Sequence, residues 1–267
     1  MLVNRGVFPS RTKAVAAIMA GDVSVNGSVA TKPGQQVYIS EKIDIVDRSK
    51  EYVSRGGKKL EKALDIFGID VTNRVVLDGG ASTGGFTDCL LSRGAIKVIA
   101  VDVGYGQLDW KLRNDPRVEV LEKTNLRYLK PEDITEKATL SVIDISFISV
   151  LKVIPAIKRC LEKRKEIVVL VKPHFEIGKG RVGKGGIVKD PNSHKSVLKE
   201  LAQKIAEEGL SIKALTFSPL LGAKGNIEFL LYLDDSGQGL GKEDIDKIIE
   251  ETVSTAHKNL NEARKGD

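Results

Sequence analysis

From Val75 onward the chain alternates short apolar runs with longer amphipathic stretches. VVLD (75–78), KVIAVD (97–102), VEVLE (118–122), LSVID (140–144) and IVVLVK (167–172) read as buried strands. SRGGKKLEKALDIFGI (54–69) places Leu60, Leu64 and Phe67 on one helical face and stops at Gly68. A further helix is expected near Ser193–Glu208, then strands IKALTFS and IEFLLYL, then a last helix with Ile245, Ile248 and Ile249 turned inward. Only the short segment around LLGAKGN separates the last two strands, so one of them is expected to run antiparallel. The pattern is that of an α/β fold, Rossmann-like, with a doubly wound, mostly parallel sheet.

The first 48 residues follow a different rhythm. Ser10 reads as the N-cap of a helix, RTKAVAAIMAG, with Val15, Ile18 and Met19 on its inward face. DVSVNGSVA alternates and turns at Asn26-Gly27, a hairpin signal; Pro33-Gly34 makes another turn, and QVYISEKIDIVD supplies further strand. So short a stretch cannot build a large core, and it reads as a small α+β appendage, residues 1–48, followed by a linker, 49–53, and a main domain, 54–267.

Charge sharpens this division. The net charge is +6, and it is unevenly spread: residues 1–60 hold ten Lys/Arg against five Asp/Glu, and residues 152–189 hold eleven against three. Two basic blocks favour a polyanionic partner. Cys89 and Cys160 are the only cysteines, and they form no metal-binding or disulfide pattern; buried free thiols in a reducing cytoplasm are expected. No apolar run approaches the ~20 residues that would span a bilayer, and no membrane partner is expected.

The first strand empties into a glycine-rich turn, Asp78-Gly79-Gly80-Ala81-Ser82-Thr83-Gly84-Gly85, and the second strand ends at Asp102. Such a turn lets backbone approach a ligand closely, and the later acid can grip ribose hydroxyls. The glycine phase is not G-x-G-x-x-G, and the Asp78 carboxylate would repel a pyrophosphate at the helix start. A cationic nucleoside ligand suits it better. S-adenosylmethionine, with its sulfonium, amino-acid head and adenosine, fits. Gly178 to Lys184 satisfies G-x-x-x-x-G-K, but Gly185 follows where Ser or Thr should hold magnesium; a basic loop that tracks phosphates explains it better.

Polar residues at strand and helix ends supply candidate chemistry. Asp144 and Lys172 close apolar strands, Glu228 opens one, and Lys59 lies in the helix before the first strand. Ligands of open α/β sheets bind outside the carboxyl ends of strands, so Asp144 and Lys172 should converge there; Glu228 joins them if its strand is antiparallel. A lysine against an apolar strand, oriented by carboxylates, can deprotonate a ribose 2′ hydroxyl or stabilise the developing alkoxide, without a metal. Arg5, Arg11 and Lys13, with Lys179, Arg181 and Lys184, are expected to clamp an RNA backbone from two sides.

The string NRGVFPSRTKAVAAIMAGDVSVNGSVATKPGQQV resembles an S4 RNA-binding domain, over residues 2–47. It lacks the Arg-Leu-Asp type of stretch with which such domains usually begin, so the expectation is either a short first helix or a true start upstream of Met1. SRGGKKL, LDGGASTGGFTDCLL, DISFIS, VKPHFE and GNIEFLLYL, in this order behind it, resemble the TlyA-type hemolysin A family of FtsJ-like ribose methyltransferases. That resemblance covers almost the whole chain. It implies S-adenosylmethionine-dependent 2′-O-methylation of cytidine in ribosomal RNA, with ribosomal RNA or ribosomal subunits as partner and no obligate protein partner. It also implies a Lys-Asp-Lys-Glu tetrad at Lys59, Asp144, Lys172 and Glu228, Lys59 being preferred to Lys58 for its place directly before Leu60. Cofactor contacts are implied at Asp78, Gly79, Gly80, Ser82, Gly84, Phe86, Asp102 and, near adenine, Asn125. The alternatives are an RNA-binding protein that has lost catalysis and, from the family name, a membrane-active cytolysin.

Overall fold

A computed structural model describes residues 2–8, 10–19, 23–30, 32–38, 40–45, 52–178 and 184–263. The chain divides into two compact units, residues 1–51 and 52–267. Tyr52 and Val53, read from the sequence as the end of a linker, belong with the second unit. The Tyr52 hydroxyl donates to Glu61 (2.8 Å) and the Val53 amide to Asp88 (2.9 Å).

In the first unit, helix α1 (Arg11–Met19) precedes a three-stranded antiparallel sheet of β1 (Val23–Val25), β2 (Ser28–Val29) and β3 (Ile43–Ile45), in the order β2-β1-β3. Asn26 (φ 51°) and Gly27 (φ 81°) make the left-handed pair that a two-residue hairpin needs. Two expectations fail here. Val15 and Met19 are exposed, and α1 instead turns Ala14 and Ile18, one helical turn apart, toward the sheet. Of the strand expected over residues 36–47, the described residues form strand at Ile43–Ile45, with Val46 and Asp47 lying outside them.

The second unit contains β4 (Val75–Gly79), β5 (Lys97–Val101), β6 (Val118–Leu121), β7 (Leu140–Ile143), β8 (Glu166–Val171), β9 (Ser211–Phe217) and β10 (Phe229–Asp234). They form one sheet in the order β6-β5-β4-β7-β8-β10-β9. All pair in parallel from β6 through β8; β10 is antiparallel to both its neighbours, as the short connection requires. Its reversal carries the start of β10 to the edge where the parallel strands end.

Strands covered on both faces read as continuous apolar runs, and β8 is buried throughout. One face, with Ile167 and Val169, packs against α5 (Ile154–Cys160), α7 (Pro191–Glu207) and α8 (Lys242–Ala263). The other, with Val168 and Leu170, packs against α2 (Gly56–Phe67) and α3 (Gly85–Ser92). Asp190 caps α7, accepting from the Asn192 and Ser193 amides. Gly68 (φ 64°) ends α2, returning its amide to the last carbonyls. Cys89 and Cys160 are buried and free. Among the described residues no helix is long and apolar enough to cross a membrane.

One buried titratable pair lies in this packing. His194 of α7 is fully buried, its Nδ1 2.9 Å from Nε2 of His257 on α8, while its own Nε2 has no partner. Burial lowers the His194 imidazole to about 4; His257 acts in the same direction and Asp190 opposes it. An unfolded histidine titrates near ~6.5, so between the two values only the unfolded chain takes up the proton. The contribution of this imidazole to stability should therefore be lost as pH drops from about 6.5 toward 4, by roughly 3 kcal/mol at the acid end. The thermal midpoint of His194→Asn, measured relative to that of the wild type, should rise across this range as pH falls.

Candidate functional site

The reversal of strand order between β4 and β7 opens a crevice at the carboxyl edge of the sheet. The turn from β4 into α3 forms its floor. Gly80 (φ +89°) passes so close to β7 that a Cβ there would meet the Asp144 carbonyl oxygen at 2.4 Å. Gly84 (φ +96°) leaves no room for one against Leu112 and Leu108. Both positions require glycine, Gly80 for a close approach of backbone to backbone and Gly84 for its left-handed φ under two leucine side chains.

Asp102 shapes the turn as well as facing the crevice. Its Oδ2 accepts from the Ser82 amide (2.8 Å) and its Oδ1 from the Gly104 amide (2.6 Å). Ser82 takes a left-handed φ of 49° to make that bond. A cavity of about 440 Å³ opens here, lined by Gly80, Ser82, Asp102, Asn125 and Phe147. The Asn125 side chain is held by the Arg127 amide and guanidinium, both at 3.2 Å. A second cavity, about 290 Å³, is lined by Arg55, Lys59, Gly85, Phe86, Asp144 and Lys172. The two share Gly80, Ser82, Asp144 and Ser146, so one elongated ligand can occupy both.

Asp78 is placed differently from expectation. It is fully buried beneath the turn and lines neither cavity. Its Oδ2 accepts from the Thr87 hydroxyl (2.6 Å) and its Oδ1 has no partner. Burial raises the carboxyl to about 7, with Asp144 and Asp102 adding to the rise and the Thr87 hydroxyl opposing it. Gly79 ends β4, where a Cβ would strike Leu126. Phe86 is buried at the cavity wall within the core cluster under α3.

The four tetrad candidates come together as two ion pairs. Lys172 Nζ lies 2.6 Å from Asp144 Oδ1 and donates to Ser146 Oγ at 2.8 Å. Lys59 Nζ lies 2.5 Å from Glu228 Oε2. Glu228 is 2% exposed; burial raises its carboxyl above the ordinary range, with Lys59 and Lys172 pulling it back. Lys59 and Lys58 are resolved by direction: Lys59 is turned in to Glu228 and Lys58 is exposed. The antiparallel course of β10 brings Glu228 to this edge.

Other groups here went unread in the sequence. Ser146 shares the Lys172 ammonium, two residues after Asp144. Arg55, at the head of α2, lines the second cavity. Phe147 is 87% exposed with a left-handed φ of 70°, its ring 5.3 Å from that of Phe175. An apolar residue exposed and strained beside a buried strand end is a mark of function rather than of folding.

Arg5 and Arg11 are exposed on the first unit; the Lys13 side chain lies outside the described residues. Lys179 and Arg181 also lie outside them, as does the side chain of Lys184. The backbone of Lys184–Gly186 makes a short 3₁₀ turn, and no helix begins before Pro191. A phosphate-binding loop needs a helix behind its lysine, so nucleotide hydrolysis is not supported.

Sheet order, glycine turn and paired cavities together define a Rossmann-like transferase with a nucleoside-type ligand crevice. Residues 52–235 match the FtsJ-like methyltransferase model and residues 1–43 the S4 domain model. The chain is 45% identical over 255 residues to the 16S/23S rRNA (cytidine-2′-O)-methyltransferase TlyA of Mycobacterium tuberculosis, covering 95% of each. It is 45% identical over 230 residues to Hemolysin A of Brachyspira hyodysenteriae, covering 86% of this chain and 95% of that one. A solved structure of a candidate hemolysin from Streptococcus thermophilus superposes with a TM-score of 0.78 at 40% identity, covering 99% of this chain and 96% of that one. The chain belongs to the FtsJ-like methyltransferase family, with an S4 domain ahead of the methyltransferase fold.

The crevice fits S-adenosylmethionine on its own features: two joined cavities, a glycine floor, and an unpartnered buried carboxylate oxygen beneath it. Ionised Asp78 attracts a cation above the turn, and protonation below about 7 removes that attraction. Affinity for S-adenosylmethionine, measured by calorimetry, should therefore weaken as pH falls from 8 to 6. Asp78→Asn should bind more weakly at pH 8 and lose the pH dependence.

Proposed function

We infer that this protein methylates the 2′ hydroxyl of cytidine ribose in ribosomal RNA, using S-adenosylmethionine. The observation that carries the reading is the meeting of Lys172–Asp144 and Lys59–Glu228 at the wall shared with the ligand crevice. The relative named for this activity on 16S and 23S RNA supports the choice of acceptor. Ribosomal subunits in the cytoplasm are the proposed substrate form.

Bound in the crevice, S-adenosylmethionine supplies an electrophilic methyl group on its sulfonium. Asp102 and Asn125 hold the nucleoside, and the backbone of Gly79, Gly80, Ser82 and Gly84 lets it lie close to the sheet edge. Phe86 supports the floor from below. Lys172, its nitrogen aimed by Asp144 and Ser146, is the group placed to receive the proton of the 2′ hydroxyl. Lys59 balances the Glu228 charge and fixes α2 against the start of β10. Alignment of a weakly acidic hydroxyl with the methyl group supplies much of the remaining acceleration. Arg5, Arg11 and Lys13 on the S4 unit, and Lys179, Arg181 and Lys184 on the methyltransferase unit, contact the RNA backbone through its phosphates.

Incubation of purified subunits with tritiated S-adenosylmethionine, followed by mapping of the labelled ribose, should place the methyl group on a cytidine 2′ oxygen. Lys172→Ala should slow single-turnover transfer by about 10²–10⁴ while leaving RNA affinity within a factor of about two. Undiminished transfer by that variant would refute the assignment of the base. RNA affinity should fall steeply with salt; a salt-independent affinity would remove the phosphate contacts from the account.

A further inference from the structure

A ribose within a polynucleotide carries a phosphodiester on its 3′ oxygen, beside the 2′ hydroxyl. A site that draws the hydroxyl to Lys172 must also accept that negative charge. Lys172 is committed to Asp144 and Lys59 to Glu228, so neither brings a spare positive charge. Arg55, at the head of α2, lines the same cavity as Lys59 and Lys172 and is one cation available there.

The loop that precedes Glu228 offers another cation. Lys224 is exposed, and among the described residues it forms no ion pair. Its backbone is left-handed, φ 57° and ψ 16°, a conformation that a long side chain takes only when its surroundings impose it. Those surroundings are explicit. Asn226, 1% exposed, accepts from the Val188 amide at 3.0 Å and donates to the carbonyls of Gly186 (3.1 Å) and Ala223 (3.0 Å). The Gly222 amide donates back to the Asn226 carbonyl at 2.8 Å. A Cβ on Gly222 would lie 1.9 Å from Glu228 Oε1, so the same loop is pressed against the catalytic carboxylate.

This clasp fixes where the lysine goes. Its Nζ lies over Gly186, 3.7 Å from where a Cβ would stand, above a turn in which Gly185 (φ 80°) and Gly186 (φ 81°) are both left-handed. Its charge also reaches His174, two residues beyond Lys172; burial lowers that imidazole, and Lys172 and Lys224 lower it further. The His174 Nδ1 is buried without a partner. Positive charge is thus held over the Gly185–Gly186 turn, on a loop whose Gly222 is packed against Glu228.

We propose that Lys224, held in its left-handed turn by the Asn226 clasp, is the contact for an RNA phosphate flanking the ribose to be methylated. The proposal rests on the ribose-methylating reading given above and adds a substrate subsite to it. It makes Asn226 a positioning residue that ties the turn at Gly186–Val188, the phosphate contact and the loop before Glu228 into one unit.

Two variants test it, both at an exposed position. Lys224→Gln removes the charge and keeps the side-chain length. Lys224→Gly removes the charge and also suits the left-handed backbone, so its thermal midpoint should equal or exceed that of the wild type. Each is compared with Lys224→Arg for S-adenosylmethionine affinity, for steady-state methylation of ribosomal subunits, and for binding to a mixed-sequence single-stranded RNA over a range of salt. Both uncharged variants should raise KM for subunits about five- to tenfold, reduce the log–log salt slope of RNA binding by about 0.7–0.9, and leave cofactor affinity unchanged. The arginine variant should retain the wild-type slope.

An unchanged slope and KM in the glycine variant, with wild-type methylation intact, overturns the phosphate assignment alone. A wild-type protein that binds RNA but transfers no methyl group to it overturns the functional reading instead. The salt slope of Lys224→Gln then still decides whether this lysine meets a phosphate.

Discussion

The ion pair of Lys59 with Glu228 joins residues 169 positions apart and governs the architecture of the site. A buried carboxylate is costly unless a partner meets it, and leaving Glu228 unpaired would cost about 3–5 kcal/mol. That demand fixes α2 over the sheet edge and fixes the point at which β10 begins. It also requires β10 to run against its neighbours, since only then does its first turn of chain reach the edge where Lys172 leaves β8. Asp144 and Lys172 repeat the arrangement one strand away. The result is two opposite charges on each side of a narrow gap, with little net field but four hydrogen-bonding heads fixed in place.

The glycine turn is built on a different constraint. At Gly80 its backbone lies so close to the end of β7 that a side chain is excluded, and Asp102 holds it by accepting from the Ser82 amide. The carboxylate that would grip a ribose therefore also sets the shape of the loop it faces. Replacing it would alter the floor of the crevice as well as one wall. Asp78 acts from below, through its charge.

Much of this was legible in the sequence because the signals are short-ranged or periodic. Strand runs between turns marked the sheet; the brief link before Ile227 marked the antiparallel strand; charges at apolar strand ends marked Asp144 and Lys172 as residues that meet at the sheet edge. Lys59 could be preferred over Lys58 only by its neighbour, and the structure separates them by pointing one inward. What escaped depended on distance. Nothing local marks Ser146 as a lysine partner or Asn226 as a clasp, because their partners lie 26 and 38–40 residues away. The face of α1 was misread because alanines carry its packing: Ala14 is buried while the larger Val15 and Met19 remain outside. In so small a unit close approach matters more than side-chain size, and hydropathy ranks alanine too low to show it.

The place of β10 in the sheet has a consequence for how the protein is made. β9 pairs only with β10, and β10 fills the gap between β9 and β8. During synthesis, β4 to β8 can assemble as a parallel core, but β9 must wait at the edge for a strand not yet translated. Glu228 arrives with that last strand. A nascent chain can thus have its glycine-turn crevice formed while the Lys59–Glu228 side of the site still stands open, to be closed only when β10 takes its place beside β8.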